Sequence, residues 1–239
     1  MLMGTVELWY DFVRGPLLRL ALVVLVLGLA RQVALLIWGM VEALWRARDR
    51  RIPYRLILTR TLSWLFPVTH LHRSRAWLSI LSFVFHIGLI VSAVFLREHI
   101  DLWQMNIGLA WLALPRPAAD VLTIVAILTG VGLLLYRLYV RRARAISGVM
   151  DYLLLVMLLA LCVTGFVAAR PWNPVPYQIT MLIHALVGIG ILVLIPFTKL
   201  THCVLYPLIR FASEIGWHFA PGTGERVVRT LHGSEGRKI

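Results

Sequence analysis

Histidines set in apolar sequence are the residues of this chain with types and spacing suited to chemistry. His184 and His202 lie near the end of the last long apolar segment, LIHALVGIGILVLIPFTKLTHC, eighteen residues apart. On one unbroken helix that is about five turns and a rise of roughly 27 Å, close to the thickness of a bilayer core. The spacing predicts both rings on one side of one helix, at opposite membrane depths. Two such imidazoles point to two cofactors, one per leaflet, and the natural candidates are two b-type haems carrying electrons across the membrane. His86 sits in the middle of another apolar run, SFVFHIGLI. Ionisable residues inside a membrane are costly, which makes them functional candidates by default. The plainer reading of His86 or His184 is a neutral ring hydrogen-bonded to a neighbouring helix. Gly188 and Gly190, just after His184, either leave room for a flat macrocycle or serve ordinary helix packing.

Two haems need a fourth ligand. His99 follows His86 by thirteen residues, about 220° of helical rotation and therefore a different face. His72 precedes His86 by fourteen, about 320°, and fits the periodicity better. His70 is off that face. Depth favours His99. If His86 pairs with His202 on the cytoplasmic side, the partner of His184 lies near the outer surface, which His99 can reach if the last turn bends. His72 lies in a basic loop on the other side. The expected ligands are therefore His86, His99, His184 and His202, with His72 as the alternative to His99. His218 and His232 are read as solvated tail residues.

The elements that must position these rings are membrane helices. The chain is 60% hydrophobic and only 15% charged, which excludes an ordinary globular composition. The net charge of +13 does not indicate nucleic-acid binding, because the arginines cluster in loops beside apolar runs. Cys162 and Cys203 form no CxxC pair, so neither an iron–sulfur site nor a disulfide framework is indicated. The N-terminal stretch has no basic region and no small-residue cleavage site, so the first span is read as retained. Five runs are long enough to span as helices: about 16–44, 77–96, 121–138, 152–169 and 179–200, the first overlong. Eighteen Lys and Arg fall on one side of these spans and five on the other. The expected fold is an all-α integral membrane protein of the cell inner (cytoplasmic) membrane. It has five transmembrane helices, the N-terminus outside and the C-terminus cytoplasmic. Segment 98–120 is too interrupted to span, with Trp103 and Trp111 at the outer interface, and 170–177 is a proline-stiffened turn. The expected division is a membrane domain, 1–203, and a cytoplasmic tail, 204–239, polar from Ala220 onwards.

With these residues in view, the chain resembles the membrane cytochrome b (gamma) subunit of respiratory nitrate reductase. The matching stretches are VFHIGLI around His86 and IHALVGIGILVLIPFTKLTH around His184 and His202. YDFVRGPLL and VFLREHIDLW…PRPAADVLTI look closer to relatives outside nitrate respiration. Those are the membrane subunits of heterodisulfide-reductase-like and sulfite-reduction-associated electron-transfer complexes. The resemblance implies five spans with the N-terminus outside, an inner haem on His86 and His202, and an outer haem on His184 and a second histidine of the second helix. In nitrate reductase subunits that histidine follows the first by ten residues. Here Leu96 holds that position, and the nearest histidine is His99.

On this reading the chain is a conduit between a quinone pool (menaquinone or ubiquinone) and an iron–sulfur subunit on the cytoplasmic face, surrounded by membrane lipid. Arg31, inside the first span, is the expected partner of an inner-haem propionate, or else snorkels toward the cytoplasm. Glu98 and Asp101 flank His99 and are candidate proton acceptors of a quinone site, or plain interface charges. The rival is a haem-free membrane anchor or a transporter whose histidines relay protons.

Overall fold

A computed structural model describes residues 2–47, 54–65 and 76–218, and among them every regular element is a helix. The elements are α1 (Leu2–Phe12), a π turn (Val13–Leu17), α2 (Leu18–Ala47), α3 (Tyr54–Leu65), α4 (Ala76–Phe95), α5 (Arg97–Ile107), α6 (Arg116–Tyr139), α7 (Arg141–Ala145), α8 (Val149–Ala168), α9 (Tyr177–Leu194) and α10 (His202–His218). Five stretches are long and apolar enough to cross a membrane: Gly4–Trp45, Ala76–Phe95, Arg116–Tyr139, Val149–Ala168 and Tyr177–Phe197. Their large side chains face outward: Leu27 is 65% exposed, Leu128 66% and Val156 48%. Such surfaces suit hydrocarbon rather than water. Among the described residues the protein is all-helical, and its five long apolar helices fit a multi-pass membrane protein.

The first span does not begin at Pro16. The helix runs through it from Leu2. Proline supplies no N–H and its ring crowds the preceding turn, and the π turn Val13–Leu17 absorbs that defect without ending the helix.

The helices fall into two units. One comprises Met1–Leu25 and Leu71–Ile195, the other Val26–His70 and Pro196–Ile239. In the first, α4 packs on α6, α6 on α8, and α8 on α9. Small residues set the spacing. A Cβ on Gly88 would lie 2.8 Å from the Leu122 carbonyl, and one on Gly130 2.8 Å from Phe85 and Leu159. Phe85, Leu155 and Leu159 form the core there, flanked by Leu89, Leu133, Leu134 and Leu158. At the end of α4, Leu96 is extended (φ −70°, ψ 132°) and α5 starts in a new direction. Gly108 closes α5 in the left-handed region (φ 75°), where glycine is favoured. The Leu114 N–H then returns to the Phe95 carbonyl (2.9 Å) and Trp111 Nε1 to the Val94 carbonyl (2.9 Å). Segment 98–120 thus does not span, as its sequence indicates: it holds most of the short helix α5 and a loop, and its last five residues already belong to α6.

In the second unit, α3 packs against α10 around Ile57, Leu205 and Ile215. Buried Glu214 is paired with Arg210 and lies 4.0 Å from Arg60. Gly28 of α2 lets Pro196 approach closely, since a Cβ there would fall 2.6 Å from the proline ring, and Gln32 Nε2 donates to the Pro196 carbonyl (2.9 Å). The expected boundary at 203/204 falls within α10. His70, His72, His232 and the tail from Ala220 lie outside the described residues.

Candidate functional site

His99 and His184 are brought together. Their ring centres are 6.1 Å apart and their planes differ by 12°. The extended Leu96 makes this possible. His99 does not continue the rotation of α4, so the 220° offset counted along one helix does not apply. Its Nδ1 donates to the Ala93 carbonyl (2.9 Å) across that bend. Burial lowers the His99 pKa from its ordinary value, with the Ala93 hydrogen bond opposing the shift, and so favours the neutral ring.

His184 projects from α9 onto α8. Its Nδ1 lies 3.1 Å from the Leu161 carbonyl and 3.2 Å from Thr164 Oγ1. The ring rests on Gly165, where a Cβ would come within 2.8 Å of its Cε1. In both rings a backbone carbonyl takes the Nδ1 proton, which assigns the remaining lone pair to Nε2. Metal-ligating histidines are commonly oriented in this way. Two imidazoles bound to one iron through Nε2 would have centres about 6 Å apart, from two metal–nitrogen bonds of ~2 Å and the ring radii. The observed pair matches that separation, and each Nδ1 is held by a backbone carbonyl. Among the described residues no group of three or more His, Cys, Asp or Glu is gathered as a bare metal ion would need. A haem needs only two axial ligands.

Gly188 faces Leu161 and Gly190 faces Met157, so both serve the packing of α9 on α8. Gly165 is the glycine at the histidine, on a helix that carries no candidate ligand. Its one sequence signal is its place in the otherwise bulky run LCVTGFVAAR.

His86 sits half-buried on α4, its Nδ1 2.7 Å from the Ser82 carbonyl one turn back. His202 is exposed, in the second unit, with its Nδ1 on the Lys199 carbonyl. The Cys203 thiol, 3.7 Å from its Nε2, pushes its pKa up to about 9, assisted by the Lys199 bond.

His184 and His202 do not share one unbroken helix. α9 ends at Leu194, a tight turn follows at Ile195–Phe197, and Thr198 is extended (φ −130°, ψ −176°). Pro196 cannot continue the ladder. Thr198 Oγ1 accepts the Leu200 N–H (3.3 Å) and caps a new turn that leads into α10. Eighteen residues are therefore not five turns of one helix, and the 27 Å rise does not follow.

Arg31 is exposed on α2. Glu98 is paired with Arg116 (2.7 Å), which lies 4.0 Å from Asp120, and Asp120 in turn binds Arg170 (2.9 Å). Asp101 is exposed on α5. This chain of charges across α5, α6 and the end of α8 had no counterpart in the sequence reading, because its members lie far apart along the chain.

The chain is 31% identical over 220 residues to a protein of Nitratidesulfovibrio vulgaris (strain Hildenborough) described only as "Protein", covering 88% of this chain and 93% of that one. This chain belongs to that protein's family. No family model and no solved structure matches it. The relative's description assigns no activity, so the functional reading rests on the chain's own residues.

Proposed function

We propose that the protein is a two-haem b-type cytochrome that links a quinone pool to an iron–sulfur subunit on the cytoplasmic side of the cell inner membrane. The observation that carries this reading is the His99–His184 pair: two near-parallel imidazoles, each with Nδ1 held by a backbone carbonyl. These two residues would hold the outer haem. His86 and His202 as ligands of the inner haem, and Arg31 as its propionate partner, rest on the sequence resemblance. When bound, haem supplies one-electron redox chemistry at a low-spin iron.

The chain's residues supply the setting. The Ala93 and Leu161 carbonyls orient the two rings, Gly165 admits one of them between α8 and α9, and the apolar spans lower the dielectric. A quinol oxidised near the outer pair gives up two electrons inward and two protons outward. With that geometry each electron crossing the full membrane potential is worth about 2.3 kcal/mol per 100 mV. Of the two carboxylates considered for proton uptake, Glu98 is held by Arg116, while Asp101 is exposed on the same helix. The eighteen-to-five excess of Lys and Arg supports an outside N-terminus and a basic cytoplasmic face suited to an acidic electron-transfer partner.

The test is a dithionite-reduced minus oxidised spectrum with a pyridine haemochrome assay on the purified full-length protein. Low-spin b-type bands and two haems per chain are expected. A preparation without a Soret band overturns the proposal.

A further inference from the structure

The helices that carry the paired rings, α5 and α9, both meet the π turn of the first helix. α9 packs directly on that turn, and Val13 within it is 1% exposed. α5 reaches it through Asn106. Asn106 donates from Nδ2 to the Arg14 carbonyl (3.1 Å) and to the Leu102 carbonyl of its own helix (2.9 Å), while its Oδ1 accepts from Arg19 Nε (3.1 Å). Both amide hydrogens and the amide oxygen are thereby engaged. The turn is irregular at this point: the Leu18 N–H bonds the Val13 and Gly15 carbonyls instead of Arg14 alone. Interruptions of this kind recur at functional sites. Asn106 follows His99 by seven residues, about two turns, so both lie on the same side of α5. Ile100 beside His99 is 1% exposed. The start of α5 is tied to α6 by the Glu98–Arg116 pair, in which both side chains are about half exposed, and such surface pairs constrain little.

We infer that Asn106, seated on the π turn, is a positioning residue that sets the spacing and mutual angle of the His99 and His184 rings. The first helix then acts as the bracket between the two ligand-bearing helices. This inference rests on the haem reading only for its spectroscopic test.

The experiment uses the full-length protein with Asn106→Leu, which keeps the side chain's size and removes all three bonds, and Asn106→Asp, which keeps the acceptor for Arg19 and loses both donors. The low-spin ferric EPR signal follows the angle between imidazole planes. One of two signals is expected to move to higher g in both variants, while the signal that His202→Ala removes stays in place. Two unmoved signals in either variant overturn the inference. A haem-independent arm places spin labels at positions 104 and 183, with Cys162 and Cys203 replaced by alanine, and measures the label distance by pulsed EPR. Asn106→Leu is expected to lengthen or broaden the distribution, and an unchanged distribution also overturns the inference. A wild-type protein without haem overturns the proposed function alone and leaves this second arm to decide.

Discussion

Replacing Gly165 with alanine tests the seat of His184. The added Cβ would lie 2.8 Å from Cε1 and 3.1 Å from Nδ1 of the ring. Comfortable carbon contacts begin near ~3.5 Å, so the ring must retreat by about 0.5 Å or more. It cannot do so freely, because Nδ1 is tied to the Leu161 carbonyl and Thr164. Overpacking of this kind costs about 1–3 kcal/mol, and weakening one hydrogen bond costs about 1 kcal/mol more. Against this, alanine in a helix gains up to ~1 kcal/mol over glycine. The last two effects cancel, which leaves a net destabilisation of about 1–3 kcal/mol. The assays are the melting temperature in detergent, the haem content per chain and the spectrum of the outer haem. Gly188→Ala is the control on the same helix pair. Its Cβ would meet only Leu161 Cδ1 at 3.4 Å, an ordinary contact, and both haems should be kept. If Gly165→Ala melts at or above the wild-type temperature with an unaltered spectrum, the seating of His184 described here is wrong.

Gly88→Ala should be worse. Its Cβ would meet the Leu122 carbonyl at 2.8 Å and the Ala126 nitrogen at 3.3 Å, backbone atoms that move only if α4 and α6 separate. A loss of about 3 kcal/mol or more is expected, read as lower yield and melting temperature, and a wild-type melting curve would refute the close approach. His99→Ala and His184→Ala should each remove the outer haem and spare the inner, whereas His202→Ala should do the reverse, as counted by haemochrome assay. Retention of both haems in His99→Ala together with loss of one in His72→Ala would transfer the fourth ligand to His72.

Hydropathy is a local property, and so the spans were legible from residue types alone. The expected runs 77–96 and 152–169 became Ala76–Phe95 and Val149–Ala168, shifts of a few residues. Two readings failed where a helix was assumed to continue unbroken. Pro16 was absorbed by a π turn instead of starting a helix, and Pro196 with Thr198 broke the register between His184 and His202. The same assumption set His99 off the face of His86, although an argument from membrane depth still chose it as the partner of His184.

Composition and the run of apolar residues by themselves determined helices throughout the described residues and five segments long and apolar enough to cross a membrane, because lipid demands long apolar runs whose backbone groups are satisfied within each helix. Tertiary structure alone decided that His99 and His184 meet, that Gly165 makes the room, and that Asn106 ties α5 to the π turn. Those contacts depend on one bend at Leu96 and on groups from the π turn, α2, α5, α8 and α9 converging, and no periodicity along a single segment encodes that convergence.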